Sequence, residues 1–150
     1  MQAIAYYFAL PFIYLISILP FPILYLLSDL VFVILYYITG YRKKVVTENL
    51  RKSFPEKSEK EIAELRRKFY RHLSDLFMET FKTLTISNSD MLRRCKMDEG
   101  SILLMKRLYD ENRNIILVLG HSGNWEWGGN TFNLVCRQQL LSLIHISEPT

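Results

Sequence analysis

The sequence predicts an α/β fold: an N-terminal membrane helix or hairpin followed by an incomplete α/β domain. Three observations carry this. Residues 1–39 are almost continuously apolar, with Asp29 the single carboxylate and no Lys or Arg. Residues 58–84 combine a capping box with a helical apolar stripe. Ile115–Leu119 is a short apolar run leading into a glycine-rich loop and a further helical segment, the order of a strand–loop–helix unit.

Composition sets the outer bounds. The chain has 150 residues, 49% hydrophobic, 13% aromatic and 23% charged. That excludes wholesale disorder and collagen-like repeats, and the length fits one domain or part of one. The mean hydropathy of +0.05 averages an apolar end with a charged remainder.

The apolar end comes first. A spanning helix needs roughly 20 apolar residues, so residues 1–39 are too few for two full spans and a turn. Pro20-Phe21-Pro22 interrupts the middle, and proline inside a helix costs about 3 kcal/mol. The segment therefore reads as one kinked span or as a shallow helical hairpin in one leaflet. A cleavable signal peptide does not fit, because a basic n-region and a small-residue cleavage site are both missing. The tyrosines Tyr6, Tyr7, Tyr14, Tyr25, Tyr36, Tyr37 and Tyr41 suit an interfacial belt or simple packing equally well. From Arg42 to Arg71 there are eleven Lys/Arg and five Glu. Beside a membrane segment, this basic collar predicts that the following residues face the cytoplasm and meet anionic lipid. For any single residue, a solvated helix face explains the charge as well. The net charge of +4 comes with no nucleic-acid motif, so no nucleic-acid partner is expected.

The remaining elements follow in order. Val45–Phe54 reads as a short amphipathic helix closed before Pro55. Ser58-Glu59-Lys60-Glu61 opens a long helix whose stripe is Ile62, Leu65, Phe69, Leu73, Leu76, Phe77, Phe81 and Leu84. The polar Ser87-Asn88-Ser89-Asp90 ends it. Ser101–Tyr109 is another helix, Asn112-Arg113-Asn114 a turn, and Ile115–Leu119 a buried strand. One strand cannot complete a parallel sheet, so the domain reads as unfinished at residue 150. Cys95 and Cys136 have neither metal spacing nor a disulfide pattern and receive no role.

Chemistry concentrates at Gly120-His121-Ser122-Gly123-Asn124-Trp125-Glu126-Trp127. His121 follows the expected strand, and strand ends are where α/β sites are built. Glu126 lies five residues on, which points away from His121 in an unbroken helix. Gly123 permits a turn between them, and Asn124 is a plausible N-cap that sets Glu126 in the first helical turn. A carboxylate on one imidazole nitrogen fixes the tautomer, leaving the other nitrogen to take a proton from a substrate hydroxyl. The spacing alone is weak: with three His and 15 acids in 150 residues, a match arises by chance about one time in three. A hydrogen-bonded loop histidine and a carboxylate favoured by the helix dipole stay open at this point. A zinc hydrolase has too few grouped ligands. A serine hydrolase lacks the G-x-S-x-G elbow around Ser122.

The same block resembles the His-x4-Asp/Glu motif of the lipid A biosynthesis (late) acyltransferase family, within the wider glycerolipid and lysophospholipid acyltransferase group. The resemblance covers roughly residues 1–140. It includes the N-terminal membrane segment, the basic stretch, Asn49-Leu50 with Ser53-Phe54-Pro55, the Phe69-Tyr70 helix and the run before His121. It implies a glycerolipid-acyltransferase-like α/β domain and transfer of a fatty acyl chain from acyl carrier protein, or acyl-CoA, to a hydroxyl of a lipid A precursor. His121 would be the general base and Glu126 its orienting partner. Gly123, Asn124 and Trp125 would shape the loop or the substrate pocket. No metal or cofactor is implied. The implied setting is lipopolysaccharide synthesis at the bacterial inner membrane, with the catalytic domain facing the cytoplasm. Other members acylate lysophospholipids or aminolipids, so the acceptor stays open, and a non-catalytic membrane-interaction module is the alternative of another class.

The resemblance also implies departures. Downstream motifs with an acceptor-binding Arg are missing. The tail Leu-Leu-Ser-Leu-Ile-His-Ile-Ser-Glu-Pro-Thr after Gln139 resembles translated sequencing-adapter read-through. The expected organisation is thus a membrane anchor at 1–39, the N-terminal part of an acyltransferase domain at 40–140 and a non-native tail at 141–150. His145 then carries no function, and the 150-residue chain is expected to be an inactive N-terminal fragment.

Overall fold

Proline, rather than hydropathy, divides the apolar end. In the computed structural model, which describes residues 2–118, 120 and 123–138, α1 (Gln2–Ile18) stops before Pro20 and α2 (Phe21–Val33) starts after it. Pro20 is the extended N-cap of α2, with φ −63° and ψ 151°. Pro22 lies in the first turn of α2, where a missing N–H breaks no helical bond. α2 continues through a π-helical turn, Ile34–Ile38, in which the Thr39 N–H donates to the Ile34 carbonyl at 2.9 Å. Gly40 then adopts φ +58°, a left-handed value that glycine tolerates at a helix end. Among the described residues, Phe21–Ile38 is the one helix long and apolar enough to cross a membrane.

Two further helices complete a unit spanning Met1–Thr85. They are α3 (Lys43–Ser53) and α4 (Glu59–Lys82). The capping box is formed as the sequence predicts. Ser58 Oγ accepts from the Glu61 N–H, and Glu61 Oε2 accepts from the Ser58 N–H at 2.9 Å. α1, α2 and α3 all pack on α4. Ile16, Leu24 and Met78 form one apolar cluster, and Phe32, Tyr36 and Tyr70 form another. In the second, the Tyr36 ring stacks on Phe32 with centroids 5.5 Å apart and meets Tyr70 edge-on at 5.4 Å. Lys43 Nζ lies 3.9 Å from its centroid, a favourable cation–π position. The buried Tyr70 hydroxyl donates to the Tyr41 carbonyl, and burial pushes its pKa up.

The contact between α2 and α4 is not purely apolar. Tyr25 donates to Glu79 Oε1 at 2.8 Å, Ser28 donates to Asp75 Oδ1 at 2.5 Å, and Arg71 Nη2 lies 3.2 Å from Asp29 Oδ1. The register is antiparallel. At its far end Lys82, only 8% exposed, donates to the carbonyls of Ser17 at 2.8 Å and Leu19 at 2.9 Å. Thr85 Oγ1 also donates to Ser17. The end carbonyls of a helix have no intrahelical partner, so a charge from α4 completes α1. Asp29 and Ser28 sit midway along the apolar stretch. A charged side chain at mid-bilayer costs roughly 2.5–3.5 kcal/mol on insertion scales, and here Arg71, Asp75 and Glu79 accompany the middle of α2.

A second unit spans Ile86–Thr150. Among its described residues are α5 (Asn88–Arg94), α6 (Glu99–Asp110) and α7 (Trp125–Val135). Ser87 caps α5 and Asp98 caps α6. The polar Ser87–Asp90 cluster, expected only to end the preceding helix, thus also begins a new one.

The predicted α/β domain is overturned. Among the described residues all regular structure is helical, with no strand and no sheet. Ile115–Val118 has no regular structure, and Ile116 and Val118 are 86% and 87% exposed. A strand exists through its ladder to a neighbour, and no second strand among the described residues supplies one. Leu119 lies outside the described residues, as does the tail 141–150.

Two outcomes follow. Lys82→Met leaves the Leu19 carbonyl without its donor and the Ser17 carbonyl with Thr85 alone, and should destabilise the chain by about 1–3 kcal/mol, read as a lower thermal midpoint by circular dichroism. Stability should also fall at low pH. The Ser58 N–H and hydroxyl hold the Glu61 carboxyl below its ordinary 4.5, and the Arg51 guanidinium does the same for Glu59. A lowered folded value contributes stability that is present above pH 4.5 and is lost as the pH falls from there through the lower folded value. Ser58→Ala should shrink that acid-side loss in pH-dependent urea unfolding.

Candidate functional site

At Gly123 the chain turns sharply into a helix. Gly123 has φ +64°, a left-handed conformation that costs other L-residues roughly 1–2 kcal/mol. Asn124 follows as the N-cap of α7, and its Oδ1 accepts from the Trp127 N–H at 3.1 Å. The chain therefore folds locally as the sequence predicts. Glu126 falls in the first turn, where the helix dipole favours a negative charge, and it is half-buried. Trp127 turns inward at 5% exposed, while Trp125 is 48% exposed.

His121 and Ser122 lie outside the described residues. Of the five predicted site residues, Gly123, Asn124, Trp125 and Glu126 are placed, on one turn and one helix start. Among the described residues, no group of three or more His, Cys, Asp or Glu is arranged to hold a metal ion.

α7 is anchored behind this turn. It packs on α5, with Met91, Trp127, Thr131 and Phe132 buried. Thr131, 1% exposed, donates from Oγ1 to the Cys95 carbonyl at 3.4 Å. Just past α7, Gln138 Nε2 donates to the Met105 carbonyl of α6 at 2.6 Å, and the Arg137 guanidinium lies 5.9 Å from the Tyr109 ring centroid. The sequence reading had no signal for these anchors. Thr131 and Gln138 are isolated polar residues, and their acceptors are backbone carbonyls that no side-chain pattern reveals. Burial pushes the Cys136 thiol pKa up, which disfavours the nucleophilic thiolate.

The turn, the cap and the first-turn carboxylate stand together at the start of α7. The profile of bacterial lipid A biosynthesis acyltransferases matches residues 1–142. The chain belongs to that family. Members are acyltransferases and membrane-associated, acting with an acyl donor and a lipid acceptor. No curated protein and no solved structure matches the chain.

The two glycines of this region should respond oppositely to a methyl group. Gly123→Ala forces a left-handed alanine and should destabilise by about 1 kcal/mol. Gly128 is inside α7, and a Cβ there meets nothing within 4 Å. Gly128→Ala should stabilise by about 0.5–1 kcal/mol. Urea unfolding of both variants checks the signs.

Proposed function

We propose that the enzyme transfers a fatty acyl chain from a thioester carried by acyl carrier protein, or by coenzyme A, to a hydroxyl of a lipid A precursor. His121 is the general base and Glu126 orients it. The supporting observation is the Gly123–Asn124 turn and cap, which starts α7 so that Glu126 stands in its first turn, in a chain of the lipid A acyltransferase family.

The chemistry balances within these groups. His121 takes the proton from the acceptor hydroxyl as its oxygen attacks the thioester carbonyl. The tetrahedral intermediate collapses, the C–S bond breaks, and the imidazolium returns the proton to the departing thiolate. Glu126 at the other ring nitrogen stabilises the imidazolium and holds one tautomer. Gly123, Asn124 and Trp125 shape the loop through which the acyl group reaches His121. The reaction takes place at the cytoplasmic face of the inner membrane, where the basic residues 42–71 meet anionic lipid and an acidic carrier.

Acyl transfer is measured with the protein expressed from its native gene. His121→Ala should lower kcat by about 10²–10⁴-fold with membrane association intact. Glu126→Gln should lower kcat less and shift the acidic limb of the pH–rate profile, where the imidazole must be unprotonated to act as base. Unchanged turnover in His121→Ala would sink the dyad.

A further inference from the structure

The middle of the candidate spanning helix is the part most heavily accompanied by charge. Ser28 and Asp29 of α2 meet Asp75 and Arg71 of α4, and Tyr25 meets Glu79. A helix crossing a bilayer puts its middle at the greatest depth. These partners would then travel to the depth where ionisable groups are most costly. The opposite side of α2 is different. Leu26, Leu30, Val33, Tyr37 and Ile38 are exposed, at a spacing that forms one stripe. α2 therefore has polar contacts in the middle of its α4-facing side, between the buried Leu24 and Phe32, and an apolar stripe along the other.

The rim next to these contacts is basic. Glu64, Arg67, Lys68 and Arg71 line a shallow groove on α4. Arg71 joins the groove to α2, because it pairs with Asp29 and its guanidinium lies 5.3 Å from the Phe32 ring centroid. Arg67 and Lys68 form no ion pair among the described residues, so with Arg71 taken by Asp29 the groove keeps two further cations beside the one carboxylate of Glu64.

We propose that α2 lies in the plane of an anionic lipid surface, in one leaflet, rather than across the bilayer. Its apolar stripe enters the acyl-chain region, and the Arg67/Lys68/Arg71 groove takes headgroup phosphates at the rim. The pattern is that of an interfacial helix, with an apolar face of large side chains and a bordering cluster of Lys and Arg. The inference rests on the reading of the enzyme as one that acts at a membrane, and it specifies how the N-terminal unit sits there.

The test uses the full chain with Cys95→Ser and Cys136→Ser, bound to vesicles of phosphatidylcholine and phosphatidylglycerol in equal parts. Single cysteines are introduced at Ile23, Leu26, Leu30, Val33 and Tyr37 and spin-labelled, and immersion depth is read by collision with oxygen and with a water-soluble nickel complex. Labels at Leu26, Leu30, Val33 and Tyr37 should report one shallow depth. A profile that deepens to a maximum near Leu30 and becomes shallow again at both ends overturns the in-plane placement. In parallel, Arg67→Gln with Lys68→Gln should weaken binding to these vesicles by on the order of tenfold or more, and leave binding to pure phosphatidylcholine unchanged. Equal affinity of the parent and the double variant for the anionic vesicles overturns the headgroup groove. Circular dichroism of each variant verifies that the helices remain. Neither readout involves acyl transfer, so loss of the His121 mechanism and loss of this placement are separately visible.

Discussion

Lys82 holds the N-terminal unit together at its most exposed weakness, the end of α1. A helix that stops before a proline leaves its last carbonyls without intrahelical donors. The ammonium of Lys82 reaches the carbonyls of both Ser17 and Leu19 from the last turn of α4. A charge-assisted bond is roughly twice as strong as a neutral one, and it is directional in a way that the Ile16–Leu24–Met78 cluster is not. With that end fixed, the Tyr25–Glu79, Ser28–Asp75 and Asp29–Arg71 contacts follow in antiparallel register. Apolar packing supplies the drive for α1 and α2 to meet α4. The polar seam decides which faces meet.

What could be read from the sequence was local. The capping box at Ser58–Glu61 and the Gly123–Asn124 turn each depend on residues within three or four positions, and both form. Asp29 stands out in the sequence as the one carboxylate among the first 39 residues. Its partner could not be read, because Arg71 is one of many cations downstream. The strand at Ile115–Leu119 failed for the opposite reason. An apolar run of five is compatible with a strand, but a strand is a relation between segments, and no neighbour among the described residues pairs with Ile115–Val118. The Ser87–Asp90 cluster showed a further ambiguity: residues that compete with the helical backbone at one end also cap the start of the next helix.

The candidate site shows the same division. Residues 123–126 specify their own geometry through a left-handed glycine and a side-chain cap. The rigidity behind them comes from farther away, through Thr131 on the Cys95 carbonyl and Gln138 on the Met105 carbonyl. α7 is thus tied by bonds from Thr131 and Gln138, which lie C-terminal to that turn.

The π-helical turn at Ile34–Ile38 has a consequence for how this segment can change. It holds one more residue per turn than the helix on either side. Tyr36 points inward to Phe32 and Tyr70, while Tyr37 and Ile38 are exposed. Removing one residue would restore the ordinary winding with the flanking segments almost in phase, because a π turn of five residues and an α turn of four rotate the chain by nearly the same angle. Gly40, Arg42 and the start of α3 would keep their facing. A single deletion is therefore absorbed at Ile34–Ile38 more easily than elsewhere in α2, where each residue turns the chain by about 100°.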